Sequence, residues 1–306
     1  MSHGKPDEVT VRVPGKINLQ LSVGPLQRDG YHELATVFQS VSLFDELTIS
    51  ENDSDEIKIS VEGKSSIPLG KENLAYQAAE LMREKFDIES GISIKIKKEI
   101  PVAGGMAGGS ADAGGTIVGI DSLYSLGLKR DEMERIGSEI GADVPFTISG
   151  GTAIGTGRGD QIAPVLSRGT YNWVLALSSS GLSTPAVYKE CDRLREGLDI
   201  SKPFVSDSLL QALSAGDAKA LGKALSNDLQ PAASSLKPAL RLILDVGLDY
   251  GALGGIVSGS GPTVAFLAEN EDHALDLVVA LTSSGVVGNV IRVSGPVPGA
   301  RVVSNG

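Results

Sequence analysis

The sequence predicts an α+β fold, because two hydrophobic patterns occur in both halves of its 306 residues. Short segments alternate apolar and polar residues, which is typical of strands with one buried face. Longer segments repeat apolar residues every three or four positions, which is typical of helices packed on a core. Both patterns occur on each side of residues 164–169, so we expect two domains, 7–165 and 166–306.

The first half is predicted to contain strands with three helices between them. The helix over residues 72–86 has Asn73 in the N-cap position, where a short polar side chain satisfies a free backbone N–H. The second helix is predicted to begin between Ser110 and Asp112, after a glycine-rich segment, and the third to end at Gly141. The predicted strands are 9–13, 17–23, 57–61, a segment starting at Ile92, and a segment within 150–160 that closes in a tight loop.

The second half is predicted to consist of helices followed by a tail of strand, turn, strand, helix and strand. A strand beginning at Tyr171 leads into a loop, and Trp173 and Cys191 are interpreted as packing residues. The predicted helices are 185–194, 206–213, 218–225, 235–246 and 272–283, and the predicted strands of the tail flank the turn 258–263 and occupy 289–294.

Composition and charge exclude several classes of protein. The net charge of −11 and the pI near 4.8 argue against a general binder of nucleic acid or anionic membranes. A single cysteine excludes an internal disulfide and fits a reducing compartment. The segment 53–56 is interpreted as a solvated loop, and His3, His32 and His273 are too scattered for a metal site. Without a signal sequence, a membrane span or an indication of an obligate protein partner, we expect a cytoplasmic protein.

The segment AGGMAGGSADAGG (103–115) is suited to binding an anion through its backbone. Small side chains leave backbone N–H groups accessible, and the helix that follows carries about half a positive charge at its N-terminus. It is not a Walker A loop, because Ser110 stands where that motif has lysine, and the fingerprint GxGxxG is absent. A flexible turn or close helix packing is the alternative. A second glycine-rich turn, SGSGPT (258–263), favours a phosphate site in which the two glycine-rich segments form two walls.

The segment from Pro101 to Ala111 resembles the phosphate loop of the GHMP kinases, which bind ATP without a Walker lysine. This resemblance implies a two-domain GHMP kinase fold, with a ribosomal protein S5 domain 2-like N-terminal domain, a ferredoxin-like C-terminal domain and the active site in the cleft between them. Ala107 departs from the glycine usual at its position, and its methyl group narrows the allowed backbone conformations. The implied ATP-binding residues of the loop are Pro101, Val102, Ala103, Gly104, Gly105, Met106, Ala107, Gly108, Gly109, Ser110 and Ala111, and those of the second turn are Ser258, Gly259, Ser260 and Gly261. Asn73 is a candidate for the adenine pocket, with helix capping as the alternative.

Further motifs are similar to one branch of this superfamily. Members of that branch use ATP to phosphorylate the 2-hydroxyl of 4-diphosphocytidyl-2-C-methyl-D-erythritol in the non-mevalonate (MEP) route to isoprenoids, and we expect the same activity here. A homoserine or mevalonate type of kinase, and a catalytically silent binding protein of the same fold, are the alternatives. The motifs are PGKINL (14–19), DGYHEL (29–34), GADVPF (141–146), GTGRGD (155–160) and SGSGPT.

The same resemblance implies roles for two charged residues. It places Lys16 in the active site beside Asp143, the candidate base for the acceptor hydroxyl. Without the resemblance, Lys16 fits a solvent-exposed strand position and Asp143 a helix or turn cap. Because residues 99–128 contain no Lys or Arg, Mg²⁺ and Lys16 are expected to supply the positive charge for the phosphates. Ser110 is the candidate metal contact, direct or through water, and Asp112 is the second choice.

A base-binding pocket is also implied by the resemblance. Tyr31 and Tyr188 are expected to stack on the two faces of the cytosine, and base–aromatic stacking contributes about 1–3 kcal/mol. His32 is expected to form a hydrogen bond with the polar edge of the base, because a neutral imidazole both donates and accepts. Thr184 is expected to contact the same nucleotide, and Asn18 the erythritol hydroxyls.

Overall fold

The computed structural model describes residues 6–62, 67–178 and 180–305, so His3 lies outside the described residues. The strands are β1 (Glu8–Leu26), β2 (His32–Asn52), β3 (Ile57–Glu62), β4 (Gly91–Lys97), β5 (Thr152–Gly157), β6 (Gln161–Pro164), β7 (Tyr171–Leu177), β8 (Ser226–Asn227), β9 (Gly254–Val257), β10 (Val264–Ala268), β11 (Asn289–Gly295) and β12 (Arg301–Asn305). The helices are α1 (Leu74–Lys85), α2 (Gly108–Tyr124), α3 (Arg130–Ser138), α4 (Val144–Ser149), α5 (Thr184–Leu194), α6 (Asp207–Ala215), α7 (Ala218–Ala224), α8 (Gln230–Leu236), α9 (Ala239–Asp249) and α10 (Glu271–Ser283).

The strands form two sheets. The larger has the order β12-β1-β2-β4-β3, with β5 and β6 continuing from β2 and β8 lying beside β1. The smaller is antiparallel throughout, with the order β11-β7-β10-β9. Two strands of the larger sheet, β8 and β12, come from the second half of the chain. The α+β class is confirmed, and strands from both halves contribute to the larger sheet.

The long strand β1 replaces two predicted strands. Its ladder with β2 continues past Pro14 and Gly15 with a shift of register between them. The hydrophobic pattern does not predict β2, because residues 35–41 are all buried. A strand buried on both faces loses the alternation that marks a half-buried strand. The predictions of β3 and β4 are confirmed, including the buried face of Ile92, Ile94 and Ile96.

Small residues allow helix α2 to pack closely on the larger sheet. A Cβ atom on Gly119 would lie 2.2 Å from Cδ1 of Ile49, and one on Gly115 would lie 2.9 Å from Cδ1 of Leu47. The glycines beyond the phosphate loop therefore serve packing, which is the alternative that the sequence left open. The helix begins at Gly108, before its predicted start, and helix α4, which begins at Val144, is not indicated by the sequence pattern.

In the second half, the prediction of one helix over 235–246 is wrong. The chain forms α8 and α9 there, and Lys237 between them has φ −137° and ψ 82°. Pro238 disfavours a helical conformation in the residue before it, so the helix is interrupted at this point. The remaining predicted helices and strands of this half are confirmed with shifts of a few residues at their ends.

Trp173 joins the two sheets as a packing residue. Its side chain is fully buried on β7, and its Nε1–H donates to Oε1 of Gln39 on β2 over 2.9 Å. Cys191 is also buried, as the packing interpretation expects. Asp53, Asp55 and Glu56 are exposed. Among the described residues, the helices are too short or too polar to span a bilayer.

Candidate active site

Two adjoining cavities occupy the cleft between the glycine-rich turns and helix α5. The first cavity, of about 390 Å³, is lined by the phosphate loop, Lys16 and Asp143. The second, of about 830 Å³, is lined by Tyr31, His32 and residues of α5. One continuous cleft therefore leads from the phosphate loop to the predicted base-binding residues. The residues that line both cavities are Leu34, Ala142, Arg158, Thr184 and Tyr188.

The side chains of Lys16 and Asp143 face each other in the first cavity. The Nζ atom of Lys16 lies 3.8 Å from Oδ2 of Asp143, and it donates to Oδ1 of Asn18 over 2.7 Å. Burial lowers the pKa of Lys16, and the carboxylate of Asp143 opposes part of that shift. The solvent-exposed position considered for Lys16 is thus wrong, since it is only 4% exposed.

Asp143 precedes helix α4 in the N-cap position without using its side chain as a cap. In the described chain, its carboxylate makes no capping hydrogen bond to the backbone of α4. The side chain is 33% exposed and faces the cleft, where Lys16 is its ion-pair partner. The carboxylate is therefore accessible to a bound hydroxyl group.

Several residues of the phosphate loop have the left-handed backbone conformation before helix α2 begins. Ala103, Gly105 and Ala107 have φ of 52°, 77° and 58°. Ala107 is the N-cap residue of α2 and has no side-chain acceptor to offer, so the first N–H groups of the helix stay available to a ligand. Ala107 thus adopts the conformation that its methyl group disfavours.

The second glycine-rich turn packs directly against this loop. The Oγ–H of Ser258 donates to the carbonyl of Gly105 over 2.9 Å, and the N–H of Thr263 donates to the carbonyl of Gly104 over 3.2 Å. A Cβ atom on Gly105 would lie 2.1 Å from the carbonyl oxygen of Ser258, so only glycine permits this approach. Gly259 and Ser260 line the first cavity together with the loop.

Some of the predicted ATP-binding residues lie behind the cavity surface. Asn73 caps α1, because its Oδ1 accepts from the N–H of Ala75, while its Nδ2 donates to the carbonyl of Pro68. Met106 is fully buried in the core. Of the predicted loop and turn residues, the first cavity is lined by Ala103, Gly104, Gly105, Ala107, Gly108, Gly109, Ser110, Gly259 and Ser260, and not by Pro101, Val102, Met106, Ala111, Ser258 or Gly261.

A buried ion network beneath α2 involves residues that sequence reasoning missed. Lys98, whose side chain is 1% exposed, donates to Asp45, to Oδ2 of Asp112 over 2.9 Å and to the carbonyl of Gly108 over 2.9 Å. Oδ1 of Asp45 accepts from the N–H groups of Glu99 and Ile100. Lys98 thus ties the end of β4 to β2 and to the first turn of α2.

Two charged groups of this network, Asp112 and Lys98, have shifted pKa values. Burial, opposed by Lys98, raises the pKa of Asp112 to about 8. Burial would lower the pKa of Lys98, but the carboxylates of Asp112 and Asp45 outweigh it and raise that pKa. Because Asp112 faces Lys98 and is 2% exposed, it does not line the cleft, unlike Ser110. Across the described residues, no group of three or more His, Cys, Asp or Glu side chains is placed to hold a metal ion.

The second cavity brings the predicted base-binding residues together. The rings of His32 and Tyr188 lie 5.2 Å apart between centroids, tilted by 34°. Tyr31 is 53% exposed, and the guanidinium of Arg158 lies 3.7 Å from the centre of its ring. Burial raises the pKa of Tyr188, so its phenol stays protonated. Thr184 reaches the second turn through a 2.8 Å hydrogen bond between its Oγ1 and Oγ of Ser260.

Comparison with known proteins identifies the family. The family model "GHMP kinases N terminal domain" matches residues 73–151, and "GHMP kinases C terminal" matches residues 209–287. The 4-diphosphocytidyl-2-C-methyl-D-erythritol kinase of Nocardia farcinica is 51% identical over 298 residues, 97% of each chain. The protein of the same name from Mycobacterium tuberculosis is 52% identical, over 97% of this chain and 93% of that protein. This chain belongs to the 4-diphosphocytidyl-2-C-methyl-D-erythritol kinase family.

Solved structures agree with membership of this kinase family and confirm the GHMP fold. A crystal structure of 4-(cytidine 5'-diphospho)-2C-methyl-D-erythritol kinase matches with a TM-score of 0.76 and 31% identity, covering 93% of this chain and 98% of that one. Homoserine kinase from Cytophaga hutchinsonii matches with a TM-score of 0.78 at 18% identity, covering 99% of each chain. At that identity the second match shows the shared fold alone. The alternative of a homoserine type of kinase is therefore not favoured.

Proposed function

We propose that this protein transfers the γ-phosphoryl group of ATP to the 2-hydroxyl of 4-diphosphocytidyl-2-C-methyl-D-erythritol, in the MEP route to isoprenoid precursors. The observation that carries the proposal is the position of Lys16 and Asp143, between a backbone-lined phosphate loop and a cavity with two tyrosines and a histidine. Membership of the kinase family supports the same substrates.

The proposed ATP site uses backbone groups instead of a cationic side chain in the loop. Helix α2 has 17 residues, and its uncapped N-terminus opens on the first cavity at Gly108 and Gly109. Free N–H groups and the helix dipole favour a phosphate at such a terminus. The second turn, which includes Ser260, would enclose the triphosphate from the other side.

In the proposed mechanism, Asp143 orients the acceptor hydroxyl and takes its proton late. A carboxylate is too weak a base to deprotonate an alcohol before reaction, but the hydroxyl becomes acidic as its bond to phosphorus forms. Lys16 would keep Asp143 ionised and balance charge on the transferred phosphoryl group. Asn18 has a free lone pair on Oδ1 beside Lys16, which suits a contact with an erythritol hydroxyl.

Mg²⁺ fits the residues of the proposed site as a phosphate-bound ion. It is usually held by one or two protein oxygens together with phosphates and water, and Ser110, at the start of α2, is a cleft residue that supplies such an oxygen. Asp112 is less suited because its Oδ2 is bound to Lys98. When bound, the ion would neutralise negative charge on the β- and γ-phosphates.

Release of ADP with each candidate acceptor tests the proposed function. We expect turnover with the cytidine substrate and none with homoserine or mevalonate. Asp143→Asn should lower kcat by about 100-fold or more while leaving the affinity for ATP nearly unchanged. The matched control is Asp131→Asn, an exposed carboxylate on α3 whose side chain is 71% exposed. Binding of the cytidine substrate without any ADP release would favour the silent binding protein, and an unaltered kcat would remove Asp143 from the mechanism.

A further inference from the structure

The carboxylate of Asp192 contacts the imidazole of His32. Its Oδ1 lies 2.8 Å from Nε2 of His32, at the rim of the second cavity. Asp192 follows Tyr188 by four residues on α5, so the two side chains lie on the same face of that helix. One turn of α5 therefore offers an aromatic ring and a carboxylate to the same imidazole.

These two contacts fix the imidazole in orientation and in tautomer. An ionised carboxylate only accepts hydrogen bonds, so Nε2 of His32 must carry the proton that it donates to Asp192. In the neutral ring, Nδ1 is then an acceptor. Within the described residues, Nδ1 has no hydrogen-bond partner, and His32 lines the second cavity. The protein thus presents a lone pair, and not an N–H group, at Nδ1.

We propose that Asp192 is a specificity-determining residue that makes the second cavity select a base with an amino group over one with an oxo group at the same position. The inference rests on the proposed function, in which His32 contacts the polar edge of the base. Cytosine has an amino donor at C4, whereas uracil has a carbonyl acceptor there. With uracil, the C4 carbonyl and Nδ1 of His32 would both be acceptors, and neither would have a hydrogen-bond donor. A site built to form a hydrogen bond strongly rejects an analogue that cannot form it. Asp192 acts through His32 and is a positioning residue.

The test compares two substrates that differ only at C4 of the base, 4-diphosphocytidyl- and 4-diphosphouridyl-2-C-methyl-D-erythritol. For the unaltered protein, we expect kcat/KM to favour the cytidine compound by about 100-fold or more. In Asp192→Asn the amide can either accept from Nε2 or donate to it, so both tautomers of His32 are permitted. The ratio of the two kcat/KM values should then fall by about tenfold or more.

The control is Glu190→Gln, the same change of acid to amide on the same helix. Glu190 pairs with Arg193 and Ser235 and does not line either cavity, so this variant should keep the full ratio. If Asp192→Asn slows both substrates equally, Asp192 serves packing only and the inference is overturned while the proposed function stands. If the unaltered protein does not phosphorylate the cytidine compound, it is the proposed function that fails.

A readout independent of activity is the ¹⁵N NMR spectrum of the histidine-labelled full-length protein. We expect His32 to carry its proton on Nε2 in the unaltered protein and to show both tautomers in Asp192→Asn. The control Glu190→Gln should have the spectrum of the unaltered protein. A proton on Nδ1 of His32 in the unaltered, neutral imidazole would contradict the inference directly.

Discussion

The residue on which the proposed chemistry depends most is a lysine whose burial disfavours its charged form. Lys16 is buried against the ring of Phe38, with its Nζ atom 5.2 Å from the ring centroid, and it has one carboxylate partner in Asp143. Removal from water disfavours the ammonium form, and burial therefore lowers the pKa of Lys16. The charge that the mechanism needs is consequently lost at a lower pH than for a lysine in water.

This shift predicts the alkaline limb of the pH profile. As pH rises through the lowered pKa of Lys16, the ammonium becomes neutral. The value of kcat/KM for the cytidine substrate should therefore begin to fall at a pH below the ordinary titration range of lysine. Arginine stays charged throughout this range, so Lys16→Arg should lack that limb even where its overall rate is lower. A profile of kcat/KM between about pH 6 and pH 10.5 checks this. An identical alkaline limb in both proteins would assign the limb to another group.

Single residues also mark where sequence reasoning could succeed and where it could not. Lys98 directly follows β4 and continues the alternation of Ile92, Ile94 and Ile96, so the burial of its side chain could have been predicted from the pattern. Its partners could not, because Asp45 and Asp112 are brought to it by β2 and α2. The contact between Asp192 and His32 likewise needs the tertiary fold, since 160 positions separate the two residues.

Among the elements, helix α2 is positioned by the network under its first turn. Lys98 joins β4, β2 and α2, and the first turn of α2 supplies the backbone groups proposed for the phosphates. Replacement by an apolar residue of similar length would leave Asp45 and Asp112 buried without their cation. An uncompensated buried charge is strongly destabilising.

Lys98→Met should therefore lower the free energy of unfolding by about 3–5 kcal/mol. It should also raise KM for ATP more than KM for the cytidine substrate, because the phosphate-binding turn loses its support. Above the raised pKa of Asp112, the double variant Lys98→Met with Asp112→Asn should recover part of the stability, since Asp112 is then no longer a buried carboxylate without its cation. Urea unfolding and initial rates measure these effects. Equal changes in both KM values would show that the network supports the fold without positioning the phosphate loop.

At the level of elements, buried strands limited the prediction more than helices did. The isolated patterns of β3, β4 and α1 are clear in the sequence because each has one exposed face. In contrast, β2 is covered on both sides at residues 35–41, and its identity follows only from its pairing with β1, β4 and β5. The motifs of the site were visible because each is a short continuous run of residues, including PGKINL within β1, whereas the distances between them depend on these unpredicted pairings.

Over the whole molecule, the two proposed domains share their main core cluster. The main cluster of buried side chains contains Ile17 and Ile117 from the first half and Trp173, Leu267 and Val293 from the second. Strand β12 pairs with β1, and β8 also lies beside β1. The division at residues 164–169 therefore separates segments whose apolar surfaces are buried together. Such an arrangement favours unfolding of both parts in a single step.

Trp173 makes this cooperativity measurable, because it is the single tryptophan of the chain and lies where the two sheets meet. Its fluorescence reports the contact between β7 and β2, whereas far-ultraviolet circular dichroism reports secondary structure in the whole chain. We expect the two probes to give the same urea midpoint, because loss of the shared core exposes both halves together. Ligands that bind the folded cleft should move both midpoints equally. Separate midpoints would mean that one domain keeps its structure after the sheets come apart, and the proposed domains would then be independent folding units.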